Sequence, residues 1–221
     1  LETEQLVQQL AADAGPVRRV AAPWRRAALW FAISLPYAAA VILLRSIYFG
    51  EANFTFDGQF VVEELAILLT AATAVVAAFC SVVPGYSRKI LLVPLLPLAV
   101  WLATLGDACL REWLLLGADG LKLRVDWDCF PQAAMIGVIP GFAIVLMLRR
   151  GAPLYPHATL MLAALAVAAL VNFTLRIYHV GDASIMVLVW HFGSMLVFSF
   201  LAGWFGNSLL NWKQLRTAAV N

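Results

Sequence analysis

Charge is scarce in this chain. Acidic and basic side chains together make up 13% of its 221 residues, 63% are hydrophobic, and the mean hydropathy is +0.86. Soluble domains carry about 25% charged residues, so this composition excludes an ordinary water-soluble fold. Cysteine and histidine are also rare, with three of each. That number gives no dense disulfide framework, and their spacing matches no recognised zinc signature. No sustained internal repeat is present, which argues against an inverted-repeat transporter. The first 26 residues are polar to amphipathic, so the first apolar run starts too late for a cleaved signal peptide.

What the sequence has instead is long apolar runs. Six can be marked: Ala27–Leu44, Phe60–Val83, Ile90–Gly106, Ala133–Leu148, Ala158–Ile177 and Ile185–Leu210. Each is close to the roughly 20 residues that a helix needs to cross a hydrocarbon core of about 30 Å. The expected fold is therefore all-α, a polytopic integral membrane protein of six transmembrane helices. The third run carries Pro94 and Pro97, where a kink is expected because neighbouring helices can re-satisfy the freed backbone groups.

Orientation follows from lysine and arginine in the connections. One side holds Arg18, Arg19, Arg25, Arg26, Arg88, Lys89, Arg149, Arg150, Lys213 and Arg216, ten bases against the three acids Glu2, Glu4 and Asp13, a net of +7. The other side holds five bases against ten acids, a net of −5. Both termini are thus expected in the cytoplasm, which requires an even number of spans. The chain divides into a cytoplasmic N-terminal segment 1–26, a six-helix bundle 27–212 with an outer loop 107–132, and a cytoplasmic tail 213–221. The cytoplasmic connections are too short to hold a catalytic domain, so the chain is not expected to be an enzyme.

The outer loop contains "CLREWLLLG", whose spacing predicts a short helix on the outer surface, followed by an irregular return. Small residues at packing distance, Gly137 with Gly141 and Ala202 with Gly206, predict close helix approach within one bundle. Cys80 reads as packing. Cys109 and Cys129 lie at the two ends of the outer loop. In an oxidising compartment they either pair, act as a redox-sensitive couple, or stay free. His179 falls in the short break before the sixth span, facing the same side as Cys129. With Asp126, Asp128 or Asp182 these two could complete a site for zinc or a heavier thiophilic ion; the alternative is that His179, Asp182 and Ser184 simply cap the sixth helix. Within the bundle, His191 and the group Glu63, Glu64, Arg176 and Asn172 are the intramembrane polar candidates.

The N-terminal segment carries Leu6, Val7, Leu10 and Ala11 at helical spacing, ended by Gly15 and Pro16. A stripe so short does not fold alone, so it must lie on the membrane, on the bundle or in a partner's groove. Trp24, Arg25 and Arg26 read as an interfacial anchor behind it.

Several stretches together resemble one family. They are "LAADAGPVRRVAAPWRRAALW" at the start, "GDACLREWLLLGADGL" and "DWDCFP" in the outer loop, "LRRGAPLYP" between spans four and five, and "DASIMVLVWHFG" opening span six. This combination, over nearly the whole chain, resembles the NrsF family of inner-membrane anti-sigma factors, the negative regulators of sigma F. The resemblance implies an extracytoplasmic-function sigma factor as partner, bound by the N-terminal segment around Leu6, Val7 and Leu10, besides the lipid bilayer and with no direct nucleic-acid contact. It also implies periplasmic cysteines that sense oxidants or heavy metals. The first family cysteine matches Cys129; the second position falls on His179 here, a departure. Either Cys109 replaces the missing partner, or the input is a metal or pH event at Cys129 and His179. No cofactor is expected beyond that zinc or heavy-metal ion. The rival reading is a small transporter or a cofactor-binding membrane oxidoreductase using His191, Glu63 and Glu64.

Overall fold

A computed structural model of the chain describes residues 2–13, 20–49, 58–117, 129–151, 154–178, 189, 192–206 and 210. Among the described residues every regular element is helical. In chain order they are α1 (Glu2–Asp13), α2 (Pro23–Phe49), α3 (Gly58–Cys80), a 3-10 turn (Arg88–Leu92), α4 (Leu95–Leu116), α5 (Cys129–Leu148), α6 (Pro156–Tyr178) and α7 (Gly193–Trp204). Five stretches, α2, α3, the 3-10 turn with α4, α5 and α6, are long and apolar enough to cross a membrane, and α7 is a shorter apolar helix of 12 residues. Of the expected sixth span, residues 185–188, 190–191 and 207–209 lie outside the described residues.

Large apolar side chains point outward all around these helices. Leu96, Phe142 and Phe200 are each about two-thirds to three-quarters exposed, and Leu29, Leu44 and Leu65 more than half. In water such a surface would aggregate; in lipid it is the solvated face. The protein is an α-helical membrane bundle.

The bundle has a centre. The antiparallel pair α3 and α6 makes the most extensive contact, and half to two-thirds of their spans is buried, against roughly a quarter for α2, α4 and α5. Their shared face is alanine-rich: Ala66, Ala71, Ala74, Ala77 and Ala78 meet Ala163, Ala166 and Ala169, all 4% exposed or less. Small side chains let two axes approach closely, and close approach is what holds helices together where lipid removes the hydrophobic drive. Thr70 and Thr174 on these helices return their hydroxyls to the Ala66 and Leu170 carbonyls, at 2.7 and 2.8 Å, so they leave nothing unpaired.

Around this pair, α4 packs on α3, α7 on α6, and α2 and α5 cover one flank. On the other flank Trp101 of α4 meets Phe192, just before α7, edge to face at 5.7 Å. An apolar groove remains between α5 and α7, floored by α6 and lined on its α5 side by Gly137 and Gly141. Gly137 permits the approach of Val171, which an added Cβ would meet at 3.3 Å; Gly141 faces open space.

Polar donors zip α2 to α5. Arg26, Trp30 and Tyr37 recur at one face of α2, four and seven residues apart, and reach the carbonyls of Met147, Pro140 and Met135 on the antiparallel helix. Trp30 donates at 2.9 Å and Tyr37 at 2.7 Å.

Two expectations change here. Pro94 and Pro97 stand where the third span passes from its 3-10 turn into α-helix and not in a helix interior: Pro94 is the N-cap of α4 and Pro97 its third residue, where the missing N–H would have had no helical partner anyway. "CLREWLLLG" does not form a separate surface helix either. It continues α4 through Gly106 to Leu116, and Gly117, at φ 61°, stops it. From Arg88 to Leu116 the 3-10 turn and α4 together run 29 residues, more than the roughly 20 that cross a hydrocarbon core.

Gly206 sets the closest approach of α7 to the start of α6. A Cβ there would stand 2.6 Å from the Pro156 carbonyl oxygen and 2.8 Å from its carbon, both backbone atoms that cannot swing away. Gly206→Ala should therefore destabilise the solubilised protein by about 1–3 kcal/mol, whereas Gly141→Ala should be neutral. Thermal unfolding in detergent checks this, and equal melting points for the two variants would refute the contact.

Candidate functional site

Charged groups collect at the two ends of the bundle. At one end α3 opens with Gln59, Glu63 and Glu64, and α6 closes with Arg176. The Arg176 Nη2 donates to Glu63 Oε2 at 2.9 Å, and Gln59 Nε2 donates to its other oxygen at 3.0 Å. The Glu63 side chain is 2% exposed and that of Arg176 18%. Four residues back along α6, Asn172 donates to the Ala168 carbonyl at 2.9 Å and touches the Met195 sulfur of α7 at 3.9 Å. Its own carbonyl oxygen is buried without a partner.

Cys109 lies at this same acidic end, on α4, as a free thiol of intermediate exposure, with Glu112 and Glu63 within electrostatic reach. One turn of helix around it is braced by the exposed Arg111–Asp107 pair at 2.8 Å. Cys129 is the first residue of α5. Among the described residues α4 and α5 share no substantial interface, since α4 packs on α3 while α5 packs on α2 and α6. The Cys129 side chain, His179, His191, Asp126, Asp128 and Asp182 lie outside the described residues. No group of three or more metal-competent side chains occurs among the described ones.

At the opposite, basic end Arg26 departs from the anchoring role its sequence suggested. Trp24 is 63% exposed with the Arg25 guanidinium stacked over it at 5.0 Å, as an interfacial pair would be. Arg26, one residue on and 100° around, is only 6% exposed. It stacks over the buried Phe79 ring of α3 at 4.4 Å and donates to the Met147 carbonyl, which also accepts from the Arg150 backbone N–H. A cation at the C-terminal end of α5 is favoured by the helix dipole. Three helices are thus tied at the base of the N-terminal segment. Two adjacent arginines look alike in sequence; only the helical rotation separates lipid-facing from buried. Nearby, Arg88 stacks on and bonds Tyr155, and Ser81 shares a 2.7 Å hydrogen bond with Thr159.

Between the ends, the buried polar residues described are hydroxyls and one amide: Ser34, Thr70, Asn172, Thr174 and Ser199. Ahead of the bundle, α1 exposes Leu6 and Val7, each more than half open, and shares no substantial interface with another described helix. Leu10 lies on the same helix.

These features define the class: a polytopic membrane protein with a free amphipathic helix at its basic end and a buried polar cluster at the other. The family profile of NrsF, negative regulator of sigma F, matches residues 10–212, and the chain belongs to that family. It is accordingly a membrane-bound regulator of transcription whose partner is a sigma factor. No curated protein and no solved structure matches the chain.

Breaking the Glu63–Arg176 pair strands a charge inside the bundle. Glu63→Gln and Arg176→Leu should each lower stability by about 3–5 kcal/mol, and the double variant by less than the sum of the two. Unfolding measured in micelles checks this; strictly additive losses would show that the two side chains do not couple.

Proposed function

We propose that this chain is an anti-sigma factor of the bacterial inner membrane that sequesters an extracytoplasmic-function sigma factor on its N-terminal segment and releases it on a periplasmic redox or heavy-metal signal. The observation that carries the reading is α1, a 12-residue helix with exposed Leu6 and Val7 and no substantial interface with another described helix. An isolated helix of that length is marginal in water, so a groove on a partner supplies the burial that stabilises it. Membership of a sigma-regulator family supplies the partner's class. The family match begins at residue 10, so Leu6 and Val7 stand just ahead of it and Leu10 at its first position.

The charge asymmetry of +7 against −5 supports a cytoplasmic basic end, with segment 1–26 and tail 213–221 inside the cell and the stretch 107–132, which takes in the end of α4 and the start of α5, at the periplasmic side. Cys129, with Cys109 or His179, is then the outer sensor, through thiol oxidation or through a zinc or heavier thiophilic ion. The route inward is α5. It begins at Cys129, and its far end carries the Met147 carbonyl that Arg26 grips at the base of the N-terminal segment. A shift of α5 along its axis thus moves α2 and the segment joined to it. Moving a two-state bundle from 1:99 to 99:1 takes about 5.5 kcal/mol, within the range of thiol oxidation or metal ligation.

Leu6→Glu and Leu10→Glu should each free the sigma factor while leaving the bundle folded, read by co-purification from membranes; unchanged retention by both variants would sink the helix-docking reading. Cys129→Ser should abolish or lock the response to oxidants and metals. His179→Ala should do so only where a metal or a proton is the input. A reporter gene under the sigma factor measures both, and normal induction in both variants would remove the outer face as the sensor.

A further inference from the structure

Among the described residues Glu64 is a buried acidic side chain at the α3–α6 contact whose carboxyl oxygens accept no hydrogen bond. Glu63 takes the Arg176 guanidinium and the Gln59 amide. Glu64, next along α3, is 8% exposed; both of its oxygens are shielded from solvent and neither has a hydrogen-bond partner among the described residues. Among the described residues the charged groups that face it are Arg176 on α6 and Glu63 on its own helix. On α4, Cys109 and Glu112 stand at the same end, on α2 Arg45 lies one turn from the helix end, and the 3-10 turn with Arg88 and Lys89 is at the opposite end of the bundle. One guanidinium therefore stands against two carboxyl groups, and it is already engaged by the first.

An ionised carboxylate without donors in a low-dielectric interior costs far more than a neutral acid in the same place, so such a group takes up a proton instead. We propose that Glu64 is a proton-binding site, carried as the neutral carboxylic acid while α3 and α6 are packed. On deprotonation the O–H bond breaks, its electron pair stays on the Glu64 oxygen, and the proton passes to water at the acidic end of the bundle. Two carboxylates then compete for Arg176. The excess charge is relieved only when Glu64 reaches water or draws Arg176 away from Glu63, and either movement loosens the central helix pair at that end. On the anti-sigma reading above, this makes the proton an input that acts on the same bundle as the cysteine sensor. The proton site itself does not depend on that reading.

The test is infrared spectroscopy of the full chain in lipid nanodiscs, with pH titration. At neutral pH the wild type should show the carbonyl stretch of a protonated carboxylic acid, shifted down in heavy water and lost on alkaline titration. The band should be missing from Glu64→Gln and retained in Asp107→Asn, an exposed acid on α4. Because folding then binds a proton that the unfolded chain releases, stability of the wild type should fall as pH rises, and Glu64→Gln should remove that slope. No acid band in the wild type at neutral pH, or a band that survives in Glu64→Gln, overturns the proposal, and the wild-type titration stands whether or not the variant folds. Failure of sigma-factor retention in the Leu6→Glu experiment would leave this result untouched, which separates the two readings.

Discussion

A guanidinium and a carboxylate buried between two helices cannot part without stranding two charges in a medium that solvates neither, so the Glu63–Arg176 contact fixes how α3 lies against α6. That pairing sets the register of the alanine faces below it, where Ala66 to Ala78 meet Ala163 to Ala169. The other helices then take their places from this pair: α4 on α3, α7 on α6, and α2 with α5 across the flank. The ion pair contributes specificity of register more than net stability, because desolvating both partners offsets most of their attraction.

The second constraint is the donor ladder from α2 to α5. Arg26, Trp30 and Tyr37 each donate a hydrogen bond to a main-chain oxygen of the opposite helix, and hydrogen bonds of this kind in a bundle contribute about 0.6–2 kcal/mol apiece. Their placement matters more than their strength. Arg26 joins α2, α3 and α5 at the point where the N-terminal segment leaves the bundle. The other end of α5 is Cys129. The two ends of the bundle are thereby joined through α5, and the polar cluster around Glu63, Glu64 and Arg176 sits on the neighbouring central pair.

Much of this was legible in the residues. Scarce charge and long apolar runs determine a helical membrane bundle, because hydrocarbon leaves backbone groups no partner except each other. The amphipathic α1 is visible as spacing, and Glu63, Glu64, Arg176 and Asn172 stand out as polar residues within or at the ends of spans. Family membership is also written in the sequence, in short diffuse stretches that agree with one another over nearly the whole chain.

Contacts between helices were decided elsewhere. The five long spans are almost equally hydropathic, yet two of them form the centre and three the rim. Hydropathy reports the transfer of a helix into lipid; which face meets another helix depends on small residues and polar pairs distributed over distant stretches. Arg25 and Arg26 are the clearest case: chemically the same and adjacent in sequence, they part by a 100° turn, one onto Trp24 at the surface and the other onto Phe79 in the core. The prolines of the third span and the helix through Cys109 follow the same logic, since whether Pro94 starts a helix or bends one, and whether Gly106 interrupts one, is determined by what packs beside them. The sequence by itself determined the solvent of this protein, its helices and its class; tertiary structure alone decided which side chains meet, because those meetings join distant stretches of chain, such as Glu63 with Arg176, 113 positions apart, and Arg26 with Met147, 121 apart.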